Sequence, residues 1–287
     1  MTWKDYAAFG VGGGRQAQSG FHPLIIVDQT CRKMTSSTKP RIQRLNSWLY
    51  IPRPDPAARK RLLIFHHAGG SSAAYYSWVS KFPAAVEVVL ADLPGRASRF
   101  REALLTDREE VIAGLRSALE DCQEKPFSFY GHSLGGVLAY LLTLEQERYG
   151  RRLPEQLFLS GAQPSWSRQR TGGSDRESLV SYLRNMGGTP QIVFDTEEFL
   201  EMTLKVVRHD LKLLEYPAPQ MRPVSCPIYS FAGDADVSIP VQNVEEWRYW
   251  TTNLFESRVF AGGHFFISQH QDELIQDICR KMLPDLS

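Results

Sequence analysis

Three side chains in this sequence, Ser133, Asp236 and His264, could share one piece of chemistry. A serine hydroxyl is a weak nucleophile until a neighbouring base takes its proton, and an acid must hold that base in the right tautomer. Ser133 stands in Gly131-His132-Ser133-Leu134-Gly135, after the apolar, aromatic segment Phe127 to Tyr130 and before a helix-like one, Val137 to Glu147. G-x-S-x-G between a strand and a helix is the pattern of a nucleophile elbow. Gly131 lets the strand turn without a side-chain clash, and Gly135 lets the helix pack close behind the serine. On the string alone two other readings compete. One is an ordinary Gly/Ser turn. The other is a serine that carries phosphopantetheine, since Gly-His-Ser-Leu also fits that short motif. The flanking strands argue against the latter, because a carrier domain is a small helical bundle.

Two downstream segments decide between them. Gly233-Asp234-Ala235-Asp236-Val237 comes after a strand ending at Phe231, and Gly262-Gly263-His264-Phe265-Phe266 after one ending at Phe260. Both sets fall on loops at the carboxyl ends of strands, the edge of an open α/β sheet where sites gather. The chain order Ser, Asp, His is that of α/β-hydrolases. Two aspartates compete for the acid: Asp234 is better placed to bond amides within its turn, and Asp236 to turn back toward the histidine. Asp236 is the choice. An oxyanion forming on attack needs backbone donors. The residue after the nucleophile, Leu134, supplies one, and Ala68 in His66-His67-Ala68-Gly69-Gly70 the other. The paired histidines invite a metal reading, but no further ligands lie at suitable spacing, and His67 as the base fails on chain order. The expectation is acyl transfer to water through an acyl-Ser133 intermediate, with no metal and no cofactor.

The elements that must hold these residues are legible as an alternation. Short apolar runs read as buried strands: Leu62 to Phe65, Val86 to Leu90, Phe127 to Tyr130, Leu157 to Leu159, Ile228 to Phe231 and Ser257 to Phe260, with an edge strand within 41–50. Helix-length stretches lie between them: Ala73 to Lys81, Arg108 to Cys122, Leu138 to Tyr149, Val244 to Trp250 and Asp272 to Met282. This predicts an α/β fold, a mainly parallel sheet with helices on both faces. Between Ser165 and Tyr216 the alternation breaks, leaving two helix candidates, one capped by Ser174 and one opened by an Asp195/Glu198 capping box. On the second, Phe199, Met202, Val206 and Leu213 define the expected apolar stripe. Residues about 165–216 are read as a helical lid inserted into a domain of residues 41–287. Residues 1–40 are glycine-rich and without period, and are expected to be a flexible extension, with Met34 an alternative start.

Composition narrows the partners. With a net charge of +1 over 287 residues, neither nucleic acid nor an anionic membrane is expected as the main partner. No apolar run approaches the roughly 20 residues of a membrane span. The four cysteines (Cys31, Cys122, Cys226, Cys279) are scattered and read as reduced thiols of a cytoplasmic protein, expected to be a monomer.

Together these motifs resemble the free-standing type II thioesterases of nonribosomal peptide and polyketide synthesis, and the medium-chain acyl thioesterases of fatty acid synthesis. The likeness covers about Ser47 to Leu283. It rests on His67-Ala68-Gly69-Gly70, Asp92-Leu93-Pro94-Gly95-Arg96 with Arg99, Gly131 to Gly136, Arg208-x-Asp210 with Glu215-Tyr216, Gly233 to Asp236 and Gly262 to Phe266. His66, where the family usually has proline, and His209, often alanine, depart from it. The resemblance implies the substrate: an acyl or aminoacyl thioester on the phosphopantetheine arm of an acyl or peptidyl carrier protein, cleared when a synthase stalls or is misprimed. It makes His67, Arg96, Arg99 and Phe265 candidates for contact with substrate or carrier, although the two arginines could equally buttress their loop through salt bridges. The competing readings are a general carboxylesterase and a non-catalytic relative that only binds.

Overall fold

Eight strands and eight α-helices alternate through the described residues, 42–164, 175–214 and 222–286 of this computed structural model. The extension over 1–40, the start at Met34, Cys31, the Ser174 cap and Glu215-Tyr216 lie outside them. Strands β1 (Gln43–Arg44), β2 (Leu49–Ile51), β3 (Lys60–Phe65), β4 (Val86–Ala91), β5 (Phe127–His132), β6 (Leu157–Ser160), β7 (Ile228–Gly233) and β8 (Phe255–Phe260) form one sheet. Its order is β1-β2-β4-β3-β5-β6-β7-β8. From β4 to β8 the neighbours run parallel, while β1 and β2 add an antiparallel edge. The single edge strand expected within 41–50 is two short ones. Asn46 Oδ1 accepts from the N–H groups of both Trp48 and Leu49 and turns the chain between them.

Alternation along the strands divides the core in two. Leu63, Phe65, Val89, Phe129 and Leu157 face α1 (Arg108–Leu119) and α2 (Leu134–Arg148). Leu62, Ile64, Val88, Tyr130 and Phe158 face the other way, toward the C-terminal helix Gln271–Met282 and the segment Ser72–Trp78, which is 3₁₀ rather than the expected α-helix. The central strands are buried on both faces, as a parallel sheet requires. β8 is the exception: it starts two residues earlier than expected and, as an edge, exposes Glu256 and Ser257.

Between β6 and β7 the described residues form three helices, α3 (Arg176–Met186), α4 (Gln191–Asp195) and α5 (Glu197–Lys212). The sequence predicted two. Asp175 caps α3, accepting from Ser178 N–H. No Asp195/Glu198 capping box forms, because Asp195 ends α4 and its Oδ1 accepts from Gln191 Nε2 at 2.8 Å. The predicted stripe on α5 is also rotated. Leu200, Leu204, Val207 and Leu211 are buried, whereas Met202 is 51% exposed. After β7 come α6 (Val241–Glu245), then α7 (Phe266–Gln269) and α8 (Gln271–Met282) beyond β8.

Candidate active site

Ser133 sits at the tip of β5, on the first residue past the strand, with φ +56° and ψ −120°. Few non-glycine residues adopt such a backbone, and surrounding bonds must over-determine it. Here the Ser133 N–H donates to Ser160 O of β6 at 2.8 Å, while its carbonyl accepts from Gly136 and Val137. The two motif glycines are required by close approach. A Cβ on Gly131 would stand 2.1 Å from Gly135 O, and one on Gly135 would stand 2.1 Å from Phe65 O. So α2 packs directly behind the serine and against the end of β3.

The loops after β7 and β8 are tied together. Asp234 Oδ1 accepts from Gly262 N–H at 2.8 Å, and Asp236 Oδ2 lies 2.6 Å from His264 Nδ1, both side chains buried. The other Asp236 oxygen, Oδ1, accepts three donors: the Ser238 hydroxyl, the Ser238 N–H and the Ile239 N–H. Burial alone would raise the Asp236 carboxyl. The His264 hydrogen bond and charge, the Ser238 hydroxyl and the Ile239 N–H outweigh it and leave the pKa below the usual carboxylate value. With Nδ1 facing a carboxylate, the lone pair falls on His264 Nε2, which has no hydrogen-bond partner among the described residues. Ser133 and His264 line one cavity of about 900 Å³ without closing a hydrogen bond between them. Such contacts are commonly loose in a free site and tighten with substrate.

The remaining sequence-predicted residues separate into two groups. Ala68, His67 and Phe265 line the cavity, and Leu134 opens α2 directly after the serine. His67 packs edge-on against Phe265. Arg96 and Arg99 do not line it. Arg96 pairs with Asp210 of α5 at 2.6 Å. Arg99 donates to Glu102 at 2.9 Å and lies 4.1 Å over the Trp48 ring. Both guanidinium groups are buried, in the buttressing arrangement: Arg96 meets a buried carboxylate, and Arg99 lies between the Trp48 ring and the exposed Glu102.

Several residues around the site are not singled out by the sequence. His132, only the variable position of the elbow motif, lies between His264 and His67, with ring centroids 4.9 and 6.1 Å away. Its Nδ1 is 3.0 Å from Ser160 Oγ. Burial, and then the proximity of His264, pushes the His132 and His67 pKa values down, His67 to about 4. At neutral pH both are uncharged and do not oppose an imidazolium on His264. Ser238, two residues after Asp236, has a readable signal: a hydroxyl at that spacing closes a local turn onto an aspartate. Tyr182, Leu183 and Met186 of α3 and Thr203 and Val207 of α5 form the opposite cavity wall. Asp210, which the sequence marks only as part of Arg208-x-Asp210 and without a role, lies as an acid within the buried apolar stripe of α5.

A mainly parallel sheet with a strained serine after its central strand, and an ordered acid and histidine on later loops, defines an α/β-hydrolase. Residues 60–282 match the thioesterase domain family, and the chain belongs to it. It is 30% identical over 245 residues to the gramicidin S biosynthesis protein GrsT of Aneurinibacillus migulanus, covering 84% of this chain and 96% of that one. It is 32% identical over 246 residues to thioesterase PikA5 of Streptomyces venezuelae, covering 83% and 87%. Among solved structures, the type II thioesterase BorB of the borrelidin biosynthetic cluster superposes with a TM-score of 0.72 at 32% identity, over 82% of this chain and 97% of that one.

Proposed function

We propose that this protein is a serine thioesterase that hydrolyses acyl or aminoacyl groups from the phosphopantetheine arm of carrier proteins, editing stalled or misprimed nonribosomal peptide or polyketide synthases. One observation carries the reading. The strained Ser133 shares a cavity with a histidine whose Nδ1 is held by a buried carboxylate and whose Nε2 is unengaged. The family and the biosynthetic setting of its relatives supply the substrate class. Helices α3 to α5 serve in this reading as the lid over the cavity.

The residues define the steps. As Ser133 Oγ attacks the thioester carbonyl carbon, its proton passes to His264 Nε2. Asp236 stabilises the imidazolium without taking the proton. The carbonyl oxygen, now an oxyanion, is met by the backbone N–H groups of Ala68 and Leu134. Collapse breaks the carbon–sulfur bond, and the Nε2 proton goes to the departing pantetheine thiolate. A water then gives its proton to the same nitrogen and attacks the acyl-Ser133 carbonyl. Breaking the ester bond releases the carboxylic acid and returns the proton to Ser133. Neutral His67 and His132 leave His264 the one histidine of the cluster positioned to carry charge.

A fluorophosphonate probe should label the wild type and not Ser133→Ala; equal labelling of the two sinks the nucleophile assignment. Comparing kcat/KM on an acetyl-loaded carrier with that on a simple ester then separates thioesterase from carboxylesterase. A preference for the simple ester overturns the substrate reading.

A further inference from the structure

Two motifs far apart in the chain, Pro94-Gly95-Arg96 and Arg208-x-Asp210, meet in one buried ion pair. Arg96 Nη1 donates to Asp210 Oδ2 at 2.6 Å, with the side chains 5% and 0% exposed. The same oxygen accepts the Gly69 backbone N–H at 2.8 Å. Asp210 Oδ1, also buried, has no hydrogen-bond partner among the described residues. This is a costly way to pack a helix: well-packed apolar residues in place of a buried ion pair are often neutral or stabilising. The position lies on the apolar stripe of α5, where a leucine would continue the pattern. The carboxylate therefore needs a reason beyond packing.

The loop it grips supplies one. Gly70 N–H donates to His67 O at 3.0 Å, closing a four-residue turn over His67-Ala68-Gly69-Gly70. Gly69, the third residue, has φ +77°, and Ala68 is not among the residues with positive φ. Negative φ at the second position and positive at the third define a type II turn. Type I and type II turns differ by a flip of the central peptide, here Ala68–Gly69, which reverses the direction of the Gly69 N–H. Glycine can adopt either form. The acceptor at Asp210 selects one, and Val207, a turn earlier on α5, closes over the same glycine. Its Cγ2 is 2.6 Å from where a Gly69 Cβ would stand.

We propose that Asp210, charge-balanced by Arg96, is a positioning residue that locks the His67–Gly70 turn in its type II form. By fixing ψ of Ala68 and φ of Gly69, it holds rigid the turn whose first peptide, His67–Ala68, presents the Ala68 N–H to the oxyanion. Asp210 touches no substrate and does not line the cavity. This rests on the serine mechanism proposed for Ser133, and the test separates the two. The breaking variant is Arg96→Met/Asp210→Leu, which removes the acceptor without stranding a charge. The restoring variant is Asp210→Asn, whose carbonyl oxygen can still receive both the Gly69 N–H and Arg96. Fluorophosphonate labelling, whose phosphoryl oxygen occupies the oxyanion position, is resolved into its maximal rate and its half-saturating concentration across pH.

The expected result is a maximal rate lower by at least about tenfold in the double variant, since loss of one oxyanion donor costs about 10²–10³. Half-saturation and the pH profile should stay unchanged, because the cavity wall and the Asp236–His264 pair are intact. Asp210→Asn should return to within about threefold of wild type. A double variant that labels at the wild-type rate overturns the proposal, as does one that changes only half-saturation, or an Asp210→Asn as slow as the double variant. If the double variant does not fold, Arg96→Gln/Asp210→Val is judged by the same criteria. A wild type that does not label removes the serine mechanism, and the lock with it. A wild type that labels beside an unimpaired double variant removes the lock alone.

Discussion

Replacing Asp236 by asparagine tests the proposed acid at the level of single hydrogen bonds. Asp236 Oδ1 accepts three donors, two backbone N–H groups and the Ser238 hydroxyl. An amide NH₂ cannot accept them, so the asparagine carbonyl oxygen must take that side. The NH₂ is then forced to the Oδ2 side, 2.6 Å from His264 Nδ1. Facing a donor, Nδ1 must become the acceptor and the ring proton moves to Nε2, the nitrogen that has to receive the Ser133 proton. The wrong tautomer costs about 10⁴ in kcat where an Asp-to-Asn change preserves the geometry of such a triad, or about 5.4 kcal/mol of transition-state stabilisation. Asp234→Asn is the matched control: its side-chain oxygen can still accept from Gly262 N–H, so kcat should stay within about threefold. Steady-state kinetics on an acyl-pantetheine thioester, with thermal melts to confirm folding, read both. A folded Asp236→Asn that keeps more than about a tenth of wild-type kcat refutes the reasoning. So does an Asp234→Asn that loses as much as Asp236→Asn.

The same geometry sets further outcomes. Burial, then His264, holds His67 at about 4, and burial keeps His66 and His132 well below the ordinary histidine value. Their folded pKa values lie below that of an unfolded histidine, near ~6.5, so the unfolded chain binds more protons between those values. The His67 contribution to stability is full above pH ~6.5 and is lost as the pH falls toward 4, at up to about 1.4 kcal/mol per pH unit, and those of His66 and His132 are lost in the same direction. Urea unfolding from pH 7 to 4.5 should show about one such increment less in His67→Gln; an unchanged slope contradicts it. Arg99→Ala should lower stability by about 1 kcal/mol through loss of the Trp48 contact, yet leave kcat/KM on a loaded carrier within about twofold. A tenfold rise in KM would instead return Arg99 to carrier binding. Met186→Trp, on the α3 wall of the cavity, should favour short acyl groups, lowering the octanoyl-to-acetyl kcat/KM ratio by about tenfold; an unchanged ratio places the acyl group elsewhere.

Sequence by itself determined what depends on local pattern and chain order. Short apolar runs between helix-length stretches specify a parallel sheet covered on both faces, because such strands are buried on both sides. Gly131 and Gly135 mark a point where backbones approach too closely for a Cβ. The order Ser133, Asp236, His264, each after a strand, is visible without coordinates, since carboxyl ends of parallel strands converge on one edge. Local pattern was least reliable in the insertion. Asp195 joined α4 instead of capping α5, and the buried stripe of α5 follows Leu200, Leu204 and Val207 rather than Phe199, Met202 and Val206. A helix face is chosen by what it packs against, which periodicity does not name.

Partnership across the chain was decided only by the tertiary structure. Arg96 and Arg99 carry the same charge and sit three residues apart, yet one finds Asp210, 114 residues away, and the other Glu102 and Trp48. A guanidinium is open to a ligand or committed to a carboxylate or a ring according to what the fold brings beside it. The sequence favours Asp236 over Asp234 for its place in the turn, but it is the loop after β8 that sets a histidine ring against one and a backbone amide against the other. The residues capable of chemistry were written along the chain. Which nitrogen meets which oxygen was settled when distant loops closed over one sheet edge, because a hydrogen bond is specified within a few tenths of an ångström and sequence spacing is not.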